Sequence, residues 1–289
     1  MKISQLKYFL SVCNSGNFTQ AAKENFVSQP AISQAIRELE EVYGVRLFER
    51  TNRGLTLTQE GKWLRERADF IVKYVASTEE QLAILSNNKQ YLRVGVAPMV
   101  GAISFFNVFD SFTTKHQDIH VDLMEAGSVQ IRRWLDENLI DLGFCIVDGL
   151  NSDGITVDEL YREELVYCVH QSNVLASKSR VSFEEIAQQK IILLKEDSYQ
   201  NQLVKEEFTK RNLKLNVMMY SGQLNSIFNM LSYGNCGAFL FRRLAERAQD
   251  ISMIPVENGL TVNIGMIRRN QATYPVVLSF VKYFKKNLH

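Results

Sequence analysis

The apolar residues of the first forty-five positions recur at intervals of three and four, the spacing of helices that bury one face. This pattern predicts a first helix that starts near Ile3 and ends near Gly16. The run TQAAKENF predicts a short second helix with Thr19 as its N-cap. The run SQPAISQAIRELEEVYG predicts a third helix, which Ser28 caps and Gly44 ends. We expect these helices to share one small core.

The third helix separates its side chains by charge as well as by polarity. Its predicted buried stripe consists of Ile32, Ala35, Ile36, Leu39 and Tyr43. The opposite side of its first half carries hydrogen-bonding groups and one cation but no acid, namely Gln29, Pro30, Ser33, Gln34 and Arg37. The acids gather in the second half, as Glu38, Glu40 and Glu41. An ordinary amphipathic surface helix explains the stripe but not this segregation, which suits a helix that enters the major groove by its N-terminal half.

The residues after the third helix favour a DNA-binding interpretation. The segment VRLFER-TNRG-LTLT predicts two short strands joined by a turn, the pattern of a wing. Arg50 and Arg53 fall at its expected base and tip, where a guanidinium group can hold a phosphate or enter a minor groove. Taken singly, each arginine is equally compatible with a solvated loop.

A long helix is predicted next, from the N-cap Thr58 to about Asn87, because this segment contains no proline. Its apolar positions alternate strictly by four and three, at Leu64, Ala68, Ile71, Val75, Thr78, Leu82 and Leu85. A stripe this narrow is a heptad seam, which requires a partner helix. The pattern therefore predicts a homodimer joined through this linker helix.

Strands and helices alternate through the remainder of the chain, from the polar break at positions 87–90 to the last helix, VVLSFVKYFKKNL. Alternation of this kind predicts an α/β domain with mostly parallel strands. The strand-to-helix loops are the expected places for ligand contacts, since parallel strands end at one edge of their sheet.

Composition excludes several classes of protein. Residues 1–62 carry eight basic and six acidic side chains, a balance of only +2, so charge alone does not predict nucleic-acid binding. Four scattered cysteines (Cys13, Cys145, Cys168 and Cys236) and four histidines show no metal-ligand spacing, so no metal and no cofactor is expected. Without a long apolar run or a signal peptide, we expect a cytoplasmic protein that does not enter a membrane.

About forty-five contiguous residues resemble the signature of LysR-type transcription regulators. The matching elements are FTQAA, SQPAISQAIRELE, LFER, R-G and LT-x-x-G. The resemblance implies that the DNA contacts are made by Gln29, Pro30, Ala31, Ser33, Gln34 and Arg37 of the recognition helix and by Arg50 and Arg53 of the wing. It also implies double-stranded promoter DNA as partner and an assembly of two dimers. The dimer contacts themselves are predicted from the heptad seam and are Leu64, Ala68, Ile71, Val75, Leu82 and Leu85.

The same resemblance implies a multi-domain fold class: a winged helix-turn-helix (1–58), a long linker helix (59–88) and an α/β two-lobed, periplasmic-binding-protein-like domain (89–289). In that domain, lobe I comprises 89–163 and 266–289, and lobe II comprises 164–265. The crossings between lobes are expected near positions 161–165 and 262–266.

A small-molecule effector is expected between the two lobes. Its predicted contacts are Met99, Val100, Gly101, Ser128, Val129, Lys195, Asp197 and Gln223. Ser128 is expected to cap a helix whose backbone N–H groups can hold an anion. Many relatives bind a carboxylate through Ser or Thr in the first loop, where this chain has Met99 and Val100. That departure predicts a less polar or larger effector, or a compensating contact from Lys195.

The sequence thus predicts a regulator in which the effector changes the angle between the lobes and thereby the promoter contacts. Three alternatives stay open at this stage. An enzyme is disfavoured because the sequence contains no GxSxG, HExxH or P-loop motif. The others are a thiol-based redox regulator that uses Cys168 or Cys236, and a constitutive DNA-binding protein with a vestigial cleft.

Overall fold

The computed structural model describes residues 1–51, 54–85, 90–150, 153–270 and 274–288. The chain divides into two compact units, Met1–Asn87 and Asn88–His289. Within the described ranges, no helix is both long enough and apolar enough to span a membrane.

The first unit contains four helices and a hairpin among its described residues. They are α1 (Ile3–Ser15), α2 (Phe18–Glu24), α3 (Gln29–Tyr43), β1 (Phe48–Thr51), β2 (Gly54–Leu57) and α4 (Gln59–Leu85). The two strands are antiparallel, as the sequence predicted. Ser28 caps α3 through the N–H of Ala31, and the Thr58 hydroxyl accepts from the N–H of Gly61 in the first turn of α4.

One predicted cap is wrong. Asn17, rather than Thr19, caps α2, because its side-chain oxygen accepts from the N–H groups of Thr19 and Gln20. The helix therefore starts at Phe18, and the ring of Phe18 packs edge-on against Phe48 of the hairpin.

The helices of the first unit enclose a single small core. Phe9 lies at its centre, fully buried, with its ring 5.3 Å from that of Phe48. The buried members from α3 are Ile32, Ile36 and Leu39. Tyr43, predicted to belong to this stripe, is 54% exposed. It is the last residue of α3, beyond the reach of the core, and Gly44 ends the helix there with a left-handed backbone (φ 63°).

The second unit is an α/β domain. Its described strands are β3 (Gln90–Val96), β4 (Ile119–Glu125), β5 (Leu142–Ile146), β6 (Ile155–His170), β7 (Ile191–Leu194), β8 (Val217–Ser221), β9 (Gly237–Phe241), β10 (Ile251–Ile254) and β11 (Leu260–Arg269). Its described helices are α5 (Pro98–Val100), which continues as a π-helical turn (Gly101–Phe105), α6 (Phe106–Lys115), α7 (Ser128–Asp136), α8 (Phe183–Ala187), α9 (Tyr199–Lys210), α10 (Leu224–Ser232), α11 (Arg242–Ala245) and α12 (Pro275–Asn287).

These strands form one sheet in the order β4-β3-β5-β11-β6-β9-β7-β8, and β10 pairs with β6. Strand pairs within each end of the sheet are parallel, but every pair that involves β6 or β11 is antiparallel. The expectation of mostly parallel strands is therefore only half right. The antiparallel pairs arise because two long strands, β6 and β11, run side by side through the middle of the sheet. The sequence pattern did not indicate this arrangement.

Two lobes meet along β6 and β11. Here lobe I denotes β3, β4 and β5 with α5, α6, α7 and α12, and lobe II denotes β7 to β10 with α8 to α11. β6 pairs with β11 through its first part and with β9 from Leu165 onward. The register of β11 shifts between Ile264 and Gly265, near the point where β11 begins to pair with β5. Both segments expected to cross between lobes lie in this antiparallel pair.

Candidate DNA-binding face and effector cleft

The first half of α3 presents a polar surface to solvent. We call Gln29, Pro30, Ala31, Ser33, Gln34 and Arg37 the recognition face; Ser33 is half-buried and the others are exposed. The opposite side of the same helix anchors it, because Ile32 and Ile36 are buried in the core. Pro30 lies in the first turn, where its missing N–H breaks no helical hydrogen bond.

Hydrogen bonds within the helix hold the side chains of the recognition face in place. The Gln29 amide donates to the Ser33 hydroxyl over 2.7 Å, and Arg37 Nε lies 3.4 Å from the Ser33 carbonyl oxygen. The Gln34 amide donates to Glu38 over 3.3 Å. These bonds are solvent-exposed, so each can be exchanged for a bond to a base or phosphate at little cost.

Two acids in the second half of α3 accept hydrogen bonds from other elements of the first unit. Glu38 also accepts a hydrogen bond from Gln5 of α1 over 3.1 Å. Glu40 accepts from the backbone N–H groups of Leu47 (2.7 Å) and Phe48 (3.4 Å), which ties the entrance of the hairpin to the helix. Glu41 is exposed. Two of the three acids therefore have structural partners away from the recognition face.

The structure describes the wing only in part. Arg50 lies in β1, opposite Leu55 of β2. The side chain of Arg50 and the whole of Arg53 lie outside the described residues. Their predicted roles stay predictions.

The first half of the heptad seam of the linker helix α4 packs against the core of its own unit. Ala68 is fully buried in the core, and Leu64 and Ile71 pack against that core from its edge. The prediction of Ala68 as a dimer contact is therefore wrong, because this side chain has no surface left for a second chain. Farther along, Val75 is half-buried and Leu82 is 63% exposed. The side chain of Leu85 lies outside the described residues.

An apolar groove of about 570 Å³ opens beside the first half of α4. Its walls include Leu39, Val45, Leu47 and Leu64, and its rim carries the exposed side chains of Met1, Tyr43 and Trp63. The sequence pattern missed this feature, since Tyr43 was assigned to the core and Trp63 lies outside the heptad seam.

The second unit contains a cleft of about 380 Å³ between its lobes. Lobe I contributes Pro98, Met99, Val100, Glu125, Ser128, Gln130, Trp134 and Ile146, and lobe II contributes Leu194, Lys195, Asp197, Ser198, Gly222, Gln223 and Phe241, among others. Six of the eight predicted effector contacts lie here. Gly101 and Val129 do not line the cleft. Trp134 and Phe241 were missed, because they lie within a helix and a strand and not in the loops that the sequence singles out.

The N-terminus of α7 is occupied by a residue of the chain itself. The Asp197 carboxylate of lobe II accepts a hydrogen bond from the N–H of Gly127 over 3.0 Å, and the Asp197 carbonyl oxygen accepts from the N–H of Val129, also over 3.0 Å. Gly127 must be glycine for this approach, since a Cβ there would lie 2.2 Å from the Asp197 carbonyl oxygen. On another part of the lobe boundary, Arg247 donates to the carbonyl of Ala102 over 2.7 Å.

The predicted capping role of Ser128 is also corrected. Ser128 is the first residue of α7, and its buried hydroxyl accepts from the N–H of Ile146 over 3.2 Å. The residue at the N-cap position is Gly127, which has no side chain to donate or accept. Ser128 thus fastens α7 to strand β5.

Apart from Asp197, the polar side chains on the lobe II wall make few contacts with lobe I. Ser198 is the N-cap of α9 but makes no capping hydrogen bond through its side chain. Lys195 is exposed and extends beside Gly222, and the Gln223 side-chain oxygen accepts from Ser226 over 3.2 Å.

None of the four thiols is activated. Burial raises the pKa of Cys13 to about 11 and the pKa of Cys145 and Cys168 to about 12, and it also raises the pKa of Cys236. A thiol that stays protonated is a poor nucleophile toward peroxide. Among the described residues, no group of three or more His, Cys, Asp or Glu side chains could hold a metal ion.

Comparison with known proteins decides the family. Residues 3–62 match the model of the bacterial regulatory helix-turn-helix protein, lysR family, and residues 86–289 match that of the LysR substrate binding domain. The chain belongs to the LysR family of transcriptional regulators. Both parts of the fold predicted from the sequence, the N-terminal helix-turn-helix and the α/β regulatory domain, are thereby confirmed.

Among LysR-type relatives, the HTH-type transcriptional regulator YwbI of Bacillus subtilis (strain 168) is 29% identical over 257 residues, which is 89% of this chain and 85% of YwbI. The HTH-type transcriptional activator CmpR of Synechocystis sp. (strain ATCC 27184 / PCC 6803 / Kazusa) is 27% identical, over 81% of this chain and 77% of CmpR. The crystal structure of full-length CbnR complexed with its target DNA superposes with a TM-score of 0.73 at 22% identity and covers 99% of each chain. Members of this family are DNA-binding transcription regulators with an effector-binding domain, and not enzymes.

Proposed function

We propose that this LysR-type regulator acts in the cytoplasm as a homodimer that inserts two recognition faces into the major groove of its promoter DNA. The proposal rests mainly on one observation: the N-terminal half of α3 exposes hydrogen-bonding side chains and Arg37 but no acid. Such a surface can approach phosphates without repulsion and offer donors and acceptors to base edges. Arg50 and Arg53 are proposed to hold the DNA backbone beside it.

The proposed dimer contact is formed by the second half of α4, with Val75, Leu82 and Leu85 facing a second chain. Leu64 and Ile71 contribute where their surfaces are not already covered by their own core. The apolar groove beside Tyr43 and Trp63 supports this proposal, because a surface of this kind in water favours association. A symmetric dimer places two recognition faces at a fixed spacing, which suits a pseudo-palindromic site. Assembly of two dimers into a tetramer is proposed from the family resemblance.

The proposed control site is the cleft between the lobes, within the regulatory domain that we assign to residues 89–289. A ligand there contacts both lobes at once, so its binding energy can shift the angle between them. CbnR, whose fold this chain shares, has been crystallised with its target DNA, which supports DNA binding by the same arrangement here.

A footprint of the full-length protein on its own promoter region tests the proposal. We expect protection of one or two short segments by the wild type and its loss in the double variant Gln34→Ala/Arg37→Ala. Glu41→Ala is the matched control, because Glu41 is exposed on the same helix but outside the recognition face. Equal protection by the wild type and the double variant would show that another surface binds the DNA.

A further inference from the structure

One contact joins the two lobes through backbone as well as side-chain atoms. The Asp197 carboxylate of lobe II accepts from the N–H of Gly127, and the Asp197 carbonyl oxygen accepts from the N–H of Val129, each over 3.0 Å. Both N–H groups belong to the N-terminus of α7 in lobe I, where the helix itself has no carbonyl to accept from them. A residue of lobe II therefore caps a helix of lobe I.

This cap carries a full negative charge. The N-terminus of a helix has a partial positive charge, so a carboxylate bound there is stabilised by the helix dipole as well as by its hydrogen bond. Asp197 is half-buried and Gly127 is buried, which limits screening by water. We expect the contact to be stronger than the solvent-exposed contact between Arg247 and the Ala102 carbonyl.

Backbone packing at this contact leaves no room for a side chain at position 127. An added Cβ on Gly127 would lie 2.2 Å from the Asp197 carbonyl oxygen and 2.6 Å from the Ser198 nitrogen. The backbone conformation of Gly127 (φ −65°, ψ 158°) is one that any residue adopts. The glycine is therefore required by the approach of lobe II and not by its own conformation.

Both sides of the contact are anchored in their own lobe. In lobe I, the buried Ser128 hydroxyl accepts from the N–H of Ile146, which fixes the start of α7 to β5. In lobe II, the buried Asn201 side chain donates to the Leu194 carbonyl over 2.6 Å, which fixes the start of α9 to β7. Because neither end can move far without its lobe, forming or breaking the contact changes the angle between the lobes.

We propose that Asp197 is a built-in clamp of the regulatory domain, which holds the lobes at their present angle and is released when the protein switches. The chain itself supplies the anion that joins the lobes at this point, so the clamped state needs no bound molecule. Release of Asp197 frees two N–H groups of α7 and removes a restraint on the lobe angle. This inference rests on the proposed function, because it gives the proposed control site a resting state.

Two variants break the clamp from opposite lobes. Asp197→Ala removes the carboxylate, whereas Gly127→Ala inserts a methyl group against the Asp197 backbone while α7 can keep its own conformation. Asp197→Asn is a milder companion, since its amide oxygen can still accept a hydrogen bond but carries no charge. Glu196→Gln is the matched control, because Glu196 is exposed and pairs with Lys205 of its own lobe.

Trp134 can report the opening of the lobes, because it lies on α7 and lines the cleft. The chain has two tryptophans, so Trp63→Phe in every protein tested leaves Trp134 as the single emitter. In the full-length protein, we expect Asp197→Ala and Gly127→Ala to increase the quenching of Trp134 by acrylamide. We also expect amide hydrogen exchange in segment 127–129 to accelerate by at least about tenfold. Asp197→Asn should lie between these variants and the wild type, and Glu196→Gln should match the wild type.

Footprints of the same proteins on the promoter region test the regulatory part of the proposal. We expect Asp197→Ala and Gly127→Ala to change the length or spacing of the protected segments in the same way, and Glu196→Gln to leave them unchanged. If Gly127→Ala does not unfold cooperatively in calorimetry, Asp197→Ala and Asp197→Asn provide the test, since they change one half-buried side chain.

The proposal is overturned if Asp197→Ala or a folded Gly127→Ala matches the wild type in Trp134 quenching and amide exchange. It is also overturned if the lobes open in these variants but the footprint stays that of the wild type. Failure of the proposed function is a different result, since the wild type itself would then not protect the promoter.

Discussion

The recognition face and the cleft between the lobes, both proposed here as binding surfaces, are built in opposite ways. The recognition face lies on nine consecutive positions of one helix, is exposed, and is held from behind by Ile32 and Ile36. The cleft is assembled from residues between Ala97 and Phe241, and part of its polar surface is already satisfied by Asp197. The first is a rigid surface that depends on one small core, whereas the second depends on how two lobes meet.

The largest effect is expected from a change that removes the support of the recognition face. Phe9→Ala deletes a fully buried ring at the centre of the first core and should lower the free energy of unfolding of that unit by about 3–5 kcal/mol. Phe26→Ala is the control, because Phe26 is 96% exposed, and it should change stability little. Calorimetric unfolding of both variants measures the difference, and equal stability would mean that Phe9 does not hold this core together.

The next effect concerns the linker helix. Leu82→Asp places a carboxylate at an exposed seam position, where a dimer would bury it, and should raise the dimer dissociation constant by roughly 100-fold or more. Glu79→Ala lies off the seam and should leave the constant unchanged. Sedimentation equilibrium measures the dimer dissociation constants of the wild type and both variants. An unchanged constant in Leu82→Asp would show that the dimer interface does not include Leu82.

A smaller effect sharpens the role of Arg37. The substitution Arg37→Lys keeps the positive charge but removes the planar fork that binds a guanine bidentately. If Arg37 reads a base, the variant should lose about 1–3 kcal/mol of discrimination at one operator position. If it only holds a phosphate, binding to all duplexes should stay close to that of the wild type. Binding to a set of single-base operator variants distinguishes the two roles.

The smallest effect is expected at the cysteines. Burial raises the pKa of Cys168 to about 12, so its thiol stays protonated at neutral pH. Peroxide treatment should therefore leave promoter binding unchanged in the wild type, and the Cys168→Ser and Cys236→Ser variants should behave in the same way. A peroxide response that these variants abolish would restore the redox alternative.

The same shifts have a consequence for stability at high pH. The unfolded chain ionises its thiols above about pH 9, while the folded chain retains those protons. The unfolded state then binds fewer protons than the folded state. The free energy of unfolding should accordingly decrease as the pH rises from about 9, which equilibrium urea unfolding at several pH values can measure.

The two regions also differ in how far the sequence predicts them. The recognition face follows from helical periodicity, because consecutive residues of one helix fix which side chains share a surface. Ser28, Gly44 and the exposed set around Arg37 were found in this way. Thr19 failed as a cap because Asn17, two positions earlier, starts the helix and accepts from the N–H of Thr19 itself, so Thr19 already lies inside the first turn.

The cleft follows from the sequence only in part. Loops at strand ends identified Met99, Lys195 and Asp197, since strand and helix order can be read from the pattern. The contact between Asp197 and Gly127 joins residues seventy positions apart, and no local pattern encodes it. The same limit explains the wrong prediction for Ala68. Ala68 occupies a heptad position, but its side chain packs into the core of its own unit and not against a second chain.

The account as a whole is tested most directly by the ratio of two affinities. The dissociation constants of the full-length protein for its own promoter duplex and for a random duplex of equal length would be measured at about 150 mM salt. Reading of base edges by the recognition face predicts that the promoter is bound at least about 1,000-fold more tightly. A ratio near one would mean that the protein binds DNA through charge alone, which contradicts the role proposed for Gln34 and Arg37.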